Sequence, residues 1–237
     1  MTTTAIVLAA GRGERMRPLT NHTPKPLLQV RGKALIEWHL EALARAGVRD
    51  VVVNTAWLED RFPAALGDGE RYGLRLHYSM EGRDHGGALE TAGAIATAAP
   101  WLGDCFWVVS GDVFLPGFAF DPAPAWAVTE GRHWAHLWMV PNAPHHPRGD
   151  FVLRRDGLLV TGDPGVLDDA GPRLTWASVG LFRRELVEGL LPGTRAPLRP
   201  WLERAIAQQR LGGTRWGGDW TDVGTPERLA ALQLPHA

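Results

Sequence analysis

Residues 6–28 read IVLAAGRGERMRPLTNHTPKPLL. An apolar run over residues 5–8 predicts a buried strand. The next five residues, AAGRG, carry little side-chain bulk. Backbone N–H groups in such a turn can approach an anion closely, and glycine permits the backbone angles that this requires. The pattern therefore predicts a strand that ends in an anion-binding loop.

Positive charge follows this loop. Arginines stand at positions 12, 15 and 17, and Lys25 lies between Pro24 and Pro26. Because proline restricts both its own backbone and that of the preceding residue, we expect Lys25 to be held in an extended conformation. Backbone amides, arginines and a positioned lysine together favour a polyphosphate ligand. The alternative is an ordinary glycine-rich turn with solvated arginines.

Two familiar phosphate-binding motifs do not fit this stretch. The dinucleotide fingerprint G-x-G-x-x-G has its third glycine position occupied by Met16, which argues against a hydride-transferring dehydrogenase. The P-loop pattern G-x-x-x-x-G-K-[ST] is not present in the stretch.

The composition limits the possible partners. The 237 residues carry a formal net charge of −1, which gives no bulk attraction to nucleic acid or to a membrane surface. The single cysteine, Cys105, excludes an intrachain disulfide and suits a reducing compartment. No apolar run approaches the roughly 18 residues of a membrane helix, and the first residues lack a signal-peptide pattern. We expect a soluble cytoplasmic protein.

Predicted strands and helices alternate up to residue 112. We expect strands at 51–53, 74–78 and 106–109, and helices at 35–46, 58–66 and 87–99. This alternation predicts an α/β fold with a mostly parallel central sheet flanked by helices. Ligands of such folds bind at the carboxyl ends of the strands, where the loop, Asn54 and Asp112 all fall.

The regular alternation of strands and helices does not continue in the later half. We expect strands at 136–140 and 174–182, a hairpin at 150–154 and 158–161, a helix at 198–211, and short strands at 214–216 and 220–222. A final helix should begin with Thr225 as its N-cap. No clear linker divides the chain, so residues 1–237 are predicted to form one domain with a β extension.

The ordered pattern L-A-A-G-x-G-x-R-M-x-P-L-T, followed by P-K-P-L, resembles the signature of the sugar-1-phosphate nucleotidyltransferases. The resemblance implies a Rossmann-like nucleotidyltransferase fold. It also implies transfer of a nucleotidyl group from an NTP to a sugar 1-phosphate, with Mg²⁺ as cofactor and pyrophosphate as the second product. Residues 1–115 would form the nucleotide-binding half and residues 116–237 the sugar-phosphate-binding half, in a monomer or homodimer.

The same resemblance assigns roles to charged residues. Asp112 and Asp222 match motifs that carry metal-binding aspartates, and Mg²⁺ usually takes one or two carboxylates. Without the resemblance, a Gly-Asp pair after a strand would be read as an ordinary turn. Lys25 is expected to stabilise charge at the α-phosphate, and Arg15 to neutralise the β and γ groups.

Nucleotide contacts are expected along the loops that follow the strands. A helix N-terminus with small residues can receive a flat base, although the same residues could simply permit close helix packing. The expected contacts are Leu8, Ala10, Gly11, Gly13, Lys25, Glu81, Thr91, Gly93 and Gly111.

The later polar cluster, including His145 and His146, is similar to that of N-acetylmuramate-1-phosphate uridylyltransferases, which points to UTP and that sugar phosphate. The expected sugar-phosphate contacts are Asn142, Gly149, Asp150 and Ser178. The chain departs from the family in having Ala177 and Ser178 where a small residue and glycine are usual. No partner for the sugar phosphate is identified, and Arg148 is the one candidate.

Other activities remain open. A mannose-1-phosphate guanylyltransferase has a similar signature, and a phosphocholine cytidylyltransferase is a more distant possibility. A catalytically inactive nucleotide-sugar sensor is the alternative from another class, although the retained Lys25, Asp112 and Asp222 argue against it.

Overall fold

The computed structural model describes residues 3–166 and 170–233. Its strands are β1 (Thr4–Leu8), β2 (Gln29–Val30), β3 (Lys33–Ala34), β4 (Asp50–Thr55), β5 (Arg75–Met80), β6 (Cys105–Ser110), β7 (Val113–Phe114), β8 (Ala135–Val140), β9 (Phe151–Arg154), β10 (Leu159–Val160), β11 (Ala170–Arg183), β12 (Leu211–Arg215) and β13 (Thr221–Asp222). Nine of them form a mixed central sheet in the order β10-β9-β11-β6-β1-β4-β5, with β8 pairing β11 and β12 pairing β8.

Helices flank this sheet, as predicted. They are α1 (Leu35–Arg45), α2 (Arg61–Leu66), α3 (Glu81–His85), α4 (Glu90–Ala98), α5 (Trp126–Thr129), α6 (Arg199–Ala207) and α7 (Pro226–Leu232). None of the helices within residues 3–166 and 170–233 has the length and apolar character needed to cross a bilayer.

The parallel core consists of β6, β1, β4 and β5. The apolar runs of β1, β4 and β6 are buried on both sides, because alternate residues enter different clusters. Val7 packs with Leu40 of α1 and Phe62 of α2, whereas Ile6 packs on the opposite side with Ile95 of α4. The predicted α/β architecture is confirmed, and the loops after β1, β4 and β6 meet at one edge of the sheet.

Strand β11 joins the two halves of the sheet. Its early residues pair with β9, and its later residues pair with both β8 and β6. The register against β8 shifts between Trp176 and Gly180, where Ser178 has a φ of 60°. This bulge bends β11 near the carboxyl ends of the parallel strands. It forms part of the predicted β extension.

Some element boundaries differ from the prediction. The predicted helix 198–211 ends at Ala207, because Gln209 adopts a left-handed φ of 54° and the chain then enters β12. The predicted strand end at Glu81 is instead the start of α3. Thr225 is the N-cap of α7, as expected.

Candidate active site

A cleft crosses the carboxyl ends of β1, β4 and β6. Its central cavity, about 620 Å³ in volume, is lined by the glycine loop, Lys25, Asp112 and the start of α4 at Thr91. Next to it, a cavity of about 460 Å³ extends towards β11. The two share Arg15, Ser110 and Asp112, so that one continuous cleft contains both.

The glycine loop is fixed by side chains behind it. The Asn54 amide oxygen accepts a hydrogen bond from the backbone N–H of Ala9 at 2.9 Å, and the Thr20 hydroxyl donates to the Gly13 carbonyl at 2.8 Å. Gly13 has a φ of 62°, a conformation that favours glycine. A side chain on Gly11 would meet nothing within 4 Å, so the loop backbone is open to the cleft.

Lys25 lies between two carboxylates. Its Nζ is 2.7 Å from Asp112 Oδ2 and 4.0 Å from Asp222 Oδ1, and the residue is only 7% exposed. The expected extended backbone at Lys25 is wrong: Lys25–Leu27 form a short 3₁₀ helix. Pro24 is extended instead, and its carbonyl accepts a hydrogen bond from the Leu27 N–H that closes the turn.

The two aspartates come together through a short ladder. Asp222 of β13 pairs with Val113 of β7, which directly follows Asp112. Arg228 of α7 donates to Asp222 Oδ2 at 3.0 Å, and His145 Nε2 lies 3.5 Å from the same oxygen. The sequence analysis did not identify Arg228. The feature that could have indicated it is its position in the first turn of the capped helix that follows the Asp222 motif.

We refer to the cavity of about 460 Å³ as the sugar-side cavity, after the sugar-phosphate contacts expected from the sequence. Asp112, Asp150, Ser178 and Asp222 line it. Asp150 is fixed there, because Oδ1 lies 3.1 Å from His146 Nε2 and Oδ2 accepts the Trp176 N–H at 2.8 Å.

Comparisons with known proteins identify the family. Residues 4–147 match the family described as nucleotidyl transferase, which is more than half of the chain. The chain is a nucleotidyl transferase. It is 48% identical to an N-acetylmuramate alpha-1-phosphate uridylyltransferase of Neisseria meningitidis serogroup B, over 97% of this chain and 96% of that protein. An enzyme of the same name from Caulobacter vibrioides is 35% identical over 96% and 94%.

Solved structures agree with this assignment at the level of fold. HddC from Yersinia pseudotuberculosis superposes with a TM-score of 0.72 over 98% of both chains, at 16% identity. A Bacillus anthracis protein assigned provisionally as a glucose-1-phosphate thymidylyltransferase gives 0.78 over 97% of this chain and 94% of that one, at 20% identity. The predicted Rossmann-like nucleotidyltransferase fold is therefore confirmed.

The donor set of this nucleotidyl transferase fits Mg²⁺. Two carboxylates already share one cation, the Lys25 ammonium, and both offer hard oxygen ligands. The part of the chain that the structure describes has no cluster of three or more His, Cys, Asp or Glu side chains suited to a metal. Two protein carboxylates are nevertheless what Mg²⁺ commonly takes, with phosphate oxygens and water completing its coordination.

Five expected contacts lie outside the two cavities described above. Glu81 is completely buried, where it accepts hydrogen bonds from the Asn54 amide at 3.0 Å and the Leu89 N–H at 2.8 Å. Burial raises the pKa of its carboxyl group. Gly93 packs against the backbone of Thr194, and Gly111 against Pro26. These three residues support the cleft wall from behind; the other two are Asn142 and Gly149.

Asn142 and Gly149 hold a loop rather than facing the sugar-side cavity. The Asn142 amide donates to the Pro147 and Arg173 carbonyls, both at 3.1 Å, and Gly149 packs against the Asn142 side chain with a φ of 58°. Both residues line a further cavity that adjoins the cleft.

Proposed function

We propose that this nucleotidyl transferase joins UTP and N-acetylmuramate α-1-phosphate to give the UDP-sugar and pyrophosphate. The observation that carries the proposal is the Lys25 ammonium between Asp112 and Asp222, where the central cavity and the sugar-side cavity meet. The choice of base and sugar rests on the names of the two relatives that match nearly the whole chain.

The chain's own residues position both substrates. The triphosphate lies on the backbone amides of residues 10–13, and Arg15, which lines both cavities, contacts the β- and γ-phosphates. The sugar phosphate enters from the Ser178 side, and one of its oxygens attacks the α-phosphorus in line. The bond from the α-phosphorus to the bridging oxygen breaks, and pyrophosphate leaves. A phosphate dianion is already a nucleophile at neutral pH, so no general base is required.

Charge stabilisation accounts for most of the catalysis in this scheme. Lys25 is almost fully buried, so its charge acts on the α-phosphate with little screening by water. Bound Mg²⁺, held by Asp112 and Asp222, would neutralise part of the triphosphate's negative charge.

The organisation follows from the same scheme. Residues 1–115 provide the nucleotide-binding half and residues 116–237 the sugar-phosphate half of one domain. We infer that both substrates are small phosphorylated metabolites, and that the reaction takes place in the cytoplasm without a nucleic-acid or membrane partner, in a monomer or homodimer.

The test is pyrophosphate release from UTP, GTP, dTTP and CTP, each with the 1-phosphates of N-acetylmuramate, N-acetylglucosamine, mannose and glucose. We expect the highest kcat/KM for UTP with N-acetylmuramate 1-phosphate. A higher value for GTP with mannose 1-phosphate would replace this function by the guanylyltransferase. No pyrophosphate from any pair would favour the inactive sensor.

A further inference from the structure

The further cavity mentioned above, of about 820 Å³, adjoins the sugar-side cavity, with which it shares His145, His146 and Asp150. We refer to it as the arginine cavity, because three arginines line it: Arg148, Arg173 and Arg199. A molecule in the sugar-side cavity can therefore extend a substituent into a positively charged space.

The acidic residues of the arginine cavity are already engaged. Both carboxylate oxygens of Asp150 have partners, His146 and the Trp176 N–H. Asp163 accepts a hydrogen bond from the Gly165 N–H at 2.9 Å. Arg148, by contrast, makes no hydrogen bond or ion pair with any residue in the ranges 3–166 and 170–233. Among the residues that the structure describes, the Arg148 guanidinium thus has no counter-ion.

The other two arginines are held in place and retain donors. Arg173 donates to the Gly162 carbonyl at 2.7 Å, while its Nε is buried without a partner. Arg199 pairs with Glu203 through Nε at 2.7 Å, and its guanidinium lies 4.6 Å from the ring centroid of Phe151. The buried Arg173 Nε–H costs free energy while it has no acceptor, and Arg199 keeps guanidinium N–H donors beyond the one paired with Glu203. Both arginines therefore favour an anionic occupant.

We propose that the arginine cavity binds a carboxylate carried by the sugar and thereby selects an acidic sugar 1-phosphate. This inference rests on the proposed function. N-acetylmuramate differs from N-acetylglucosamine in one group, a lactic acid joined through an ether to the C3 oxygen. With the 1-phosphate at Lys25, the ring occupies the sugar-side cavity, and the lactyl carboxylate passes His146 to reach Arg148 and Arg199. Arginine suits this role because its planar guanidinium can bind a carboxylate through two hydrogen bonds.

The first test compares kcat/KM for N-acetylmuramate 1-phosphate with that for N-acetylglucosamine 1-phosphate, both with UTP. We expect Arg148→Gln and Arg199→Gln each to lower the ratio of the two values about tenfold, the effect of losing one charge-assisted hydrogen bond. Arg155→Gln is the matched control, because it removes the same charge from an exposed turn outside the three cavities described. It should leave the ratio within about twofold.

The second test changes the substrate instead of the protein. The lactamide analogue of N-acetylmuramate 1-phosphate keeps the shape of the lactyl group and removes its charge. Wild-type protein should lose about tenfold in kcat/KM with this analogue, whereas Arg148→Gln should lose less than about twofold, because the interaction is already missing.

The outcomes separate the two proposals. If wild-type protein does not turn over N-acetylmuramate 1-phosphate, the proposed function fails and the carboxylate site fails with it. If it does, but the arginine variants keep the wild-type ratio and the full lactamide penalty, only the carboxylate site is wrong. A circular dichroism spectrum like that of wild type would show that each variant is folded.

Discussion

Ser178 occupies a backbone conformation that favours glycine, at the point where β11 bends beside the sugar-side cavity. A residue with a Cβ atom in this left-handed region costs roughly 1–2 kcal/mol. The sequence showed that serine replaces the glycine that is usual in the family. In the structure, this serine has a strained backbone conformation and lines the sugar-side cavity.

We expect Ser178→Gly to raise the free energy of unfolding by about 1 kcal/mol, because it removes this strain. For a chain of this size the midpoint of thermal unfolding should rise by roughly 2–4 °C. Ala177→Gly is the control, because Ala177 is fully buried and has no positive φ, so its variant should be less stable than wild type. A Ser178→Gly protein that melts below wild type would show that the hydroxyl contributes more than the strain costs.

In the proposed mechanism, Lys25 is the residue on which the chemistry depends most. We expect Lys25→Ala to lower kcat for pyrophosphate release at least about a hundredfold, the scale of losing one preorganised electrostatic group. Lys33→Ala is the control, because that lysine is a partly exposed side chain paired with Glu41. Turnover near the wild-type value in folded Lys25→Ala protein would remove Lys25 from the mechanism.

An ordered motif singled out Lys25 and the sequence also pointed to Asp112 and Asp222, and the structure brings these three side chains together. The sequence did not distinguish residues that line the cavities from residues that hold the cavity wall in place. Glu81 and Gly93 are close in sequence to residues that line the cleft, but neither lines it. Glu81 accepts a hydrogen bond from the Leu89 backbone N–H, and Gly93 leaves room for the backbone of Thr194. Only the packing decides between these uses.

At the scale of elements, His39 connects α1 to the strand that follows Asp112. Its buried Nε2–H donates to the Val113 carbonyl at 2.9 Å. Burial lowers the pKa of His39 from 6.5 to about 4. Between these pH values the unfolded chain takes up a proton that the folded protein does not, so this histidine makes the folded protein less stable as the pH falls.

We therefore expect the free energy of unfolding of wild type to fall more steeply than that of His39→Gln between pH 6.5 and 4. The difference in slope should be up to about 1.4 kcal/mol per pH unit, because one proton is taken up. Urea unfolding at pH 7, 6 and 5 measures it, and other titrating groups cancel in the comparison. Equal slopes would show that His39 titrates normally in the folded protein.

Elements were predictable where hydrophobic periodicity was strong, as in β1, β4, β6 and α1. The first and last residues of these elements were less predictable, because the local hydrophobic pattern does not show where a turn closes. The apolar residue Leu211 suits the end of a helix in sequence, yet it begins β12, where it pairs with Ala135 of β8. Such pairing is a tertiary interaction that periodicity cannot reveal.

On the scale of the whole molecule, the later half completes structures that begin in the earlier one. β11 covers the edge of β6, and β13 pairs with β7. The start of α4 is held by residues far along the chain, since the Ala92 N–H donates to the Ala196 carbonyl at 3.0 Å. This interdependence explains why the sequence contains no clear linker.

We expect the two halves to fold only together. The full chain should unfold in one transition, with tryptophan fluorescence and circular dichroism giving the same midpoint. A fragment of residues 1–115 should remain unfolded, because it leaves the β6 edge and one side of α4 uncovered. Cooperative thermal unfolding of that fragment would show instead that the nucleotide-binding half is an independent domain.

β7 and β13 bring Asp112 and Asp222 together, and we propose that the two aspartates form the reaction centre with Lys25. Steady-state pyrophosphate release from UTP and N-acetylmuramate 1-phosphate by Asp222→Asn, which keeps the side chain's shape, tests this reaction centre. Asp84→Asn, at an exposed acid paired with its neighbour Arg83, is the control. We predict that kcat of Asp222→Asn is at least about a hundredfold below that of wild type and of the control. Near-normal turnover by folded Asp222→Asn protein would show that Asp222 is not part of the reaction centre.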